Sequence, residues 1–149
     1  MPTAPRSHRP AHYQPPAEQR REQDRRRLTS RERGYSARWD NYAKALRQER
    51  AICELCMEAS GTVTPAADKR TGMVDHTIPV DSADDPLFWE PTNHRVLCIV
   101  CDRWKSNVFD GGFSGKEKSR PSVRSIDGVA MRWAEVVAAR RGVGCAVQP

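Results

Sequence analysis

The chain of 149 residues lacks any long apolar run. Its longest spans only about residues 96–101, against the roughly 20 apolar residues a membrane-crossing helix needs, so such a helix is excluded and no membrane partner is expected. Apolar material of every kind is scarce: hydrophobic residues make up 38% of the chain, charged residues 30%, and the apolar share includes four Trp and five Cys. With a mean hydropathy of −0.76, one small domain is expected and a large enzyme with a deep, preformed pocket is not. Residues 1–16 carry Pro and His but no apolar stretch such as a secretory leader needs. The chain is therefore expected in the cytoplasm, with its thiols reduced. No internal repeat is visible.

Acidic charge is scarce at both ends. Residues 1–33 hold nine Arg against four acids and residues 116–149 hold seven bases against three acids, whereas residues 34–115 hold nine bases against twelve acids. The net charge is +6 and the pI about 9.4. A mildly acidic middle between basic arms suggests a polyanionic partner, nucleic acid above all; arms that only keep the chain soluble are the alternative. Three regions follow: 1–33, a basic and disordered arm broken by five prolines; 34–115, the core; and 116–149, a basic segment with an amphipathic helix.

Trp39, Tyr42, Ala43 and Leu46 fall on one helical face, which predicts a helix from about Ser36, as N-cap, to Arg50. Residues 57–95 read as short β-like pieces and turns. Within them, 71–80 is the best strand or hairpin, with Gly72 as a turn, and 81–93 is a loop whose Leu87, Phe88 and Trp89 supply core. A short helix is expected over about 100–107, a turn at Asp110-Gly111-Gly112, and a helix over about 125–141 with Val129, Trp133, Val136 and Val137 inward.

Cys53-x2-Cys56 and Cys98-x2-Cys101 are two thiolate pairs separated by 41 residues. Two such pairs suit one tetrahedral Zn²⁺ site, closed and therefore structural, which would supply much of the folding free energy of so polar a domain. Cys145 has no evident partner. Inside the metal-closed loop lie Asp75-His76 and Asn93, and directly after the last thiolate comes Asp102. A hairpin with Asp75-His76, a loop with Asn93 and a zinc-anchored helix with Asp102 make a strand–strand–helix unit.

Over about residues 33–115 the sequence resembles the HNH endonucleases, specifically the compact phage-type group with two CxxC pairs. The matching elements include Ala37-Arg38-Trp39, Cys53-x2-Cys56, Val74-Asp75-His76-x-Ile78-Pro79, Asp85-Pro86-Leu87-Phe88-Trp89, Asn93, Leu97-Cys98-x2-Cys101, Lys105-Ser106 and Asp110-Gly111-Gly112-Phe113. The resemblance implies a small α+β fold: a ββα-metal core closed by the four-cysteine zinc site and flanked by helices. It also implies His76 as general base, Asp75 as a ligand of a catalytic divalent ion, and Asn93 as the residue that braces the loop and orients the base. The motif's final His is replaced by Asp102. As an oxygen donor paired with Asp75, Asp102 would suit Mg²⁺ or Mn²⁺; its other reading is the N-cap of the following helix.

The expected activity is metal-dependent hydrolysis of DNA phosphodiester bonds, with His76 accepting a proton from water. Neighbouring side chains on a regular strand face opposite ways, so a distortion is expected near Asp75. Charge assigns most phosphate attraction to the two arms, with Arg38, Arg95, Arg103 and Lys105 as nearer contacts. The resemblance further implies a phage or prophage origin, a host-cytoplasmic location, and partners such as terminase in genome packaging. A DNA-binding or packaging-accessory protein whose nuclease site has weakened is the alternative, and a zinc-dependent protein–protein adaptor is a third.

Overall fold

The first helix, α1 (Ala37–Glu49), follows the apolar stripe: Trp39, Ala43 and Leu46 are buried and Tyr42 packs beside them. Ser36 occupies the N-cap position but its side chain makes no capping hydrogen bond. The computed structural model describes residues 17–18, 21–22, 29–111 and 124–143. Of the arm expected to be disordered over 1–33, residues 17–18 and 21–22 are helical and 30–33 belong to a turn; the rest of it (Thr29 apart), the Gly112 end of the expected turn and Cys145 lie outside the described residues.

The stretch after the first cysteine pair is not β-like. Residues 54–60 form a helix, α2 (Glu54–Ser60). The Cys53 sulfur accepts a hydrogen bond from the Cys56 amide at 3.4 Å at its start. Gly61, in the left-handed conformation at φ +69°, donates back to Met57 to close it. The chain then doubles back, with Cys53 donating to Thr64 O (2.8 Å) and Ala66 to Ala51 O (2.8 Å).

Strands β1 (Gly72–His76) and β2 (His94–Cys98) pair antiparallel, from Gly72 opposite Cys98 to His76 opposite His94. The strand partner is thus distant in sequence, not the other half of a hairpin within 71–80. Gly72 is not a turn either. It lies inside β1, where an added Cβ would come within 2.3 Å of Ala66 O. The register runs unbroken through Asp75 and His76, so the expected distortion is absent.

Helix α3 (Ile99–Trp104) continues directly from β2, and a π-helical turn, Lys105–Phe109, follows it. It starts with Cys98 at the N-cap position. Helix α4 (Ile126–Arg141) begins where the sequence predicts. Ser125 Oγ accepts from the Gly128 amide at 3.2 Å, Asp127 lies in the first turn, and Arg140 and Arg141 lie in the last. Its Val129, Trp133, Val136 and Val137 are buried as expected, and Trp133 Nε1 donates to Glu58 Oε2 of α2 at 2.9 Å. The result is a small α+β arrangement. Its principal core places the four cysteines among Leu46, Leu55, Val96, Leu97, Trp133 and Val136. A second, aromatic cluster holds Trp39 and Phe88, with Tyr35, Tyr42 and Trp89 partly buried against it.

Candidate functional site

The two CxxC pairs converge. Cys53 and Cys56 come from the start of α2, Cys98 from the end of β2 and Cys101 from α3. All four sulfurs lie within 4.8 Å of one another, and all four residues are buried. Sulfurs held tetrahedrally at about 2.3 Å from one ion sit roughly 3.8 Å apart. The Cys56–Cys101 and Cys56–Cys98 separations of 3.5 and 3.9 Å bracket that value and are far beyond the ~2.05 Å of a disulfide. The four sulfurs are strongly coupled to one another. Contacts from Cys101 and then Cys53 pull the Cys98 thiol well down, while contacts from Cys53 and then Cys98 hold the Cys101 thiol far above its ordinary range. The donor set fits a soft divalent ion such as zinc.

The second constellation lies where β1, α3 and the π-turn meet. Asp75 and Asp102 both line an open groove of about 800 Å³, together with Tyr35, Trp39 and several cations. Asp102 is the fourth residue of α3 and not its N-cap, so the capping role is set aside. Burial, then the charge of Asp75, pushes the Asp102 carboxyl up to about 6. That is the response of a carboxylate short of positive charge.

Lys105 is buried, 1% exposed, and its ammonium meets three oxygens: Asp75 Oδ2 at 2.8 Å, Asp110 Oδ2 at 2.7 Å and His76 O at 2.9 Å. Burial alone would lower its pKa, but Asp75 and then Asp110 more than offset that and hold it charged. The expectation that Lys105 contacts DNA is therefore corrected. Its charge is used internally, on the residues beside which a divalent ion was expected. Arg132 of α4 secures the same knot through Asp110 Oδ1 at 3.3 Å.

His76 faces the opposite way from Asp75, into the aromatic cluster. It is 3% exposed and stacks on Trp39 with centroids 4.9 Å apart. Its Nε2 lies 3.0 Å from Phe88 O, and His94 Nε2 lies 2.9 Å from the same oxygen. A carbonyl only accepts, so both rings carry their proton on Nε2. The lone pair of His94 Nδ1 then accepts from Tyr42 Oη at 2.6 Å. That of His76 Nδ1 has no hydrogen-bond partner among the described residues. Burial lowers the pKa of both rings, His94 to about 4, so both are neutral at pH 7. His94 is a brace that the sequence did not mark out.

Asn93, fully buried, fixes this geometry. Its Nδ2 donates to Ile78 O and Leu87 O, each at 3.1 Å, and its Oδ1 accepts from the Ile78 amide at 2.8 Å. The two ends of the intervening loop are tied, and the Phe88 carbonyl is presented to both imidazoles.

Among the described residues, the four cysteines are the one group of three or more His, Cys, Asp or Glu whose ligand atoms lie within 4.8 Å of one another. Asp75, His76 and Asp102 do not form such a group. Of the expected DNA contacts, Arg38 and Arg103 are exposed, Arg38 over the Trp89 ring at 4.5 Å. Arg95 is turned inward, 3.6 Å from Glu54 and stacked over Trp133 at 4.9 Å, so it is set aside as a phosphate contact. Comparison with protein-family models, curated proteins and solved structures gave no match.

Proposed function

We propose that this chain is a metal-dependent endonuclease of the HNH type that hydrolyses DNA phosphodiester bonds, on a ββα-metal core held together by a structural zinc. One observation carries the reading. The carboxylates of Asp75 on β1 and Asp102 on α3 line one groove, while the imidazole of His76, next to Asp75 in sequence, lies on the other face of β1. Phosphodiester cleavage needs a proton acceptor that is neutral at working pH. The resemblance gives that part to His76, which burial keeps neutral at pH 7 and whose tautomer Phe88 O fixes; to meet a water in the groove its ring has to turn out of the Trp39 stack. Asn93 keeps that carbonyl in place. The resemblance assigns the same two roles to these residues.

A divalent ion held by Asp75 and Asp102 would supply positive charge to a bound phosphate and the departing oxygen. The oxygen donors favour Mg²⁺ or Mn²⁺. Lys105 lies against one oxygen of Asp75, Oδ2, at 2.8 Å. The test is a plasmid-nicking assay with Mg²⁺, Mn²⁺, Zn²⁺ and Ni²⁺ in turn. Cleavage with Mg²⁺ or Mn²⁺, abolished by His76→Ala at unchanged zinc content, is the expected result; no cleavage with any metal rejects the reading.

The ammonium of Lys105 on Asp75 favours a second reading, a zinc-stabilised DNA-binding or packaging-accessory protein with a weakened nuclease site. Binding without cleavage in the same assay would select it.

A further inference from the structure

The groove's positive and negative side chains are not matched to each other. Of its four carboxylates, Asp40 pairs with Arg31 at 3.7 Å, Asp68 caps its own turn by accepting from the Arg70 and Thr71 amides at 2.6 and 3.1 Å, and Asp75 is held by Lys105. Asp102 stands beside Asp75. The cations Arg33, Lys44, Arg47 and Lys69, which line the same groove, have no carboxylate partner among the described residues.

Arg47 is the most telling of them. It is only 8% exposed, and its Nε is buried with no hydrogen-bond acceptor. A guanidinium does not neutralise itself by losing its proton. Holding one largely buried without a counter-charge is unfavourable, and its place in the last turn of α1 offsets only part of that through the helix dipole. Lys44, three residues earlier on α1, shares its face. Arg33 enters from the turn before α1 and Lys69 from the loop before β1.

We propose that this groove is the seat of the DNA backbone, with Arg47 as its anchoring phosphate ligand and Lys44, Lys69 and Arg33 along its walls. Primary binding then belongs to the folded core beside Asp75 and Asp102, and the basic arms add only general attraction. The proposal rests on the nuclease reading for the identity of the anion alone. A row of unmatched cations along an open groove suits a repeating phosphodiester better than a single small anion.

The experiment uses the full zinc-loaded chain, without Mg²⁺ or Mn²⁺, titrated into a fluorescein-labelled DNA duplex at several salt concentrations. Arg47→Met keeps the stem and removes the charge. It is expected to weaken binding about tenfold and to lower the salt slope by about one, with a Tm no lower than wild type because a buried unpaired charge has gone. A purely structural arginine would instead lower Tm and leave the slope unchanged, which overturns the proposal. Should Arg47→Met fail to fold, the exposed pair Lys44→Gln/Lys69→Gln must lower the slope by about two; an unchanged slope there overturns it equally. A wild-type chain that does not bind the duplex also overturns it. Binding that depends on Arg47 in a chain that never nicks DNA upholds this proposal and rejects the nuclease reading. Nicking by a chain whose affinity ignores Arg47 and both lysines does the reverse.

Discussion

The cysteine centre and the carboxylate groove share one element, α3, which gives Cys101 to the first and Asp102 to the second, yet they are opposites. At the centre four like donors converge from three elements, buried among Leu55, Val96, Leu97 and Val136. One ion would satisfy all of them at once. In and beside the groove the charges are of both signs and unevenly matched: Lys105 is surrounded by oxygens, while Arg47 has no carboxylate partner among the described residues and its Nε has no acceptor. A closed set of identical ligands serves stability. Unmatched charge in an open groove lowers stability, and it is the arrangement a site for a charged ligand requires.

Breaking the centre should have the largest effect. Cys101→Ala, or stripping the ion with a chelator, removes a contribution that in small zinc domains is on the order of 10 kcal/mol. The chain is expected to lose its cooperative thermal transition, read by circular dichroism, in step with zinc content.

On the groove side, Lys105→Met leaves Asp75, Asp110 and the His76 carbonyl without their shared cation. Breaking a buried pair in this way costs roughly 3–5 kcal/mol, measurable by urea unfolding. Added Mg²⁺ or Mn²⁺ should recover part of the loss if a divalent ion can take the ammonium's place.

Tyr42→Phe removes the donor to His94 Nδ1 and leaves a buried acceptor unpaired, at a cost of about 1–3 kcal/mol. His94 also sets an acid limit. Its pKa falls from 6.5 to about 4 on folding, so the unfolded chain binds the proton more readily. Its contribution is complete above pH 6.5 and is lost as pH falls from there towards 4. Carbon-bound ring protons followed by NMR should place the His94 titration near the lower end of that window.

The smallest effect has the opposite sign. Folding raises the Asp102 pKa from 3.8 to about 6, so ionised Asp102 detracts from stability progressively as pH rises through that interval. Asp102→Asn should therefore stabilise the metal-free groove at pH 7, on the order of 1 kcal/mol once screening of this part-exposed group is discounted. The gain should vanish below about pH 4. Equal stability of the two chains at both pH values would mean that Asp102 is not short of positive charge.

What could be read from the sequence was local and periodic. The stripe from Trp39 to Leu46, the Ser125 cap with Val129 to Val137, and the two CxxC pairs depend on spacing alone, and the structure has them at the expected places. Helix α2 was hidden because the stretch from residue 57 reads as short β-like pieces and turns, although Glu54, Leu55, Met57, Glu58 and Ala59 are good helix formers. Gly72 looked like a turn because its real cause, the close approach of Ala66 from another segment, has no trace in neighbouring residues. The same holds for the charges. Lys105, Arg95 and Arg47 are indistinguishable as letters from solvated cations, and only the tertiary packing separates the internally paired from the buried and unpaired.

The Phe88 carbonyl links two rings that stand opposite each other at the open end of the sheet. A single peptide plane thereby sets the tautomer of both imidazoles. Tilting that plane, by substitution at Pro86 or Trp89 on either side, should release the two Nε2 protons together. His76 and His94 would then report as a pair in nitrogen spectra, and neither could be retuned without disturbing the other.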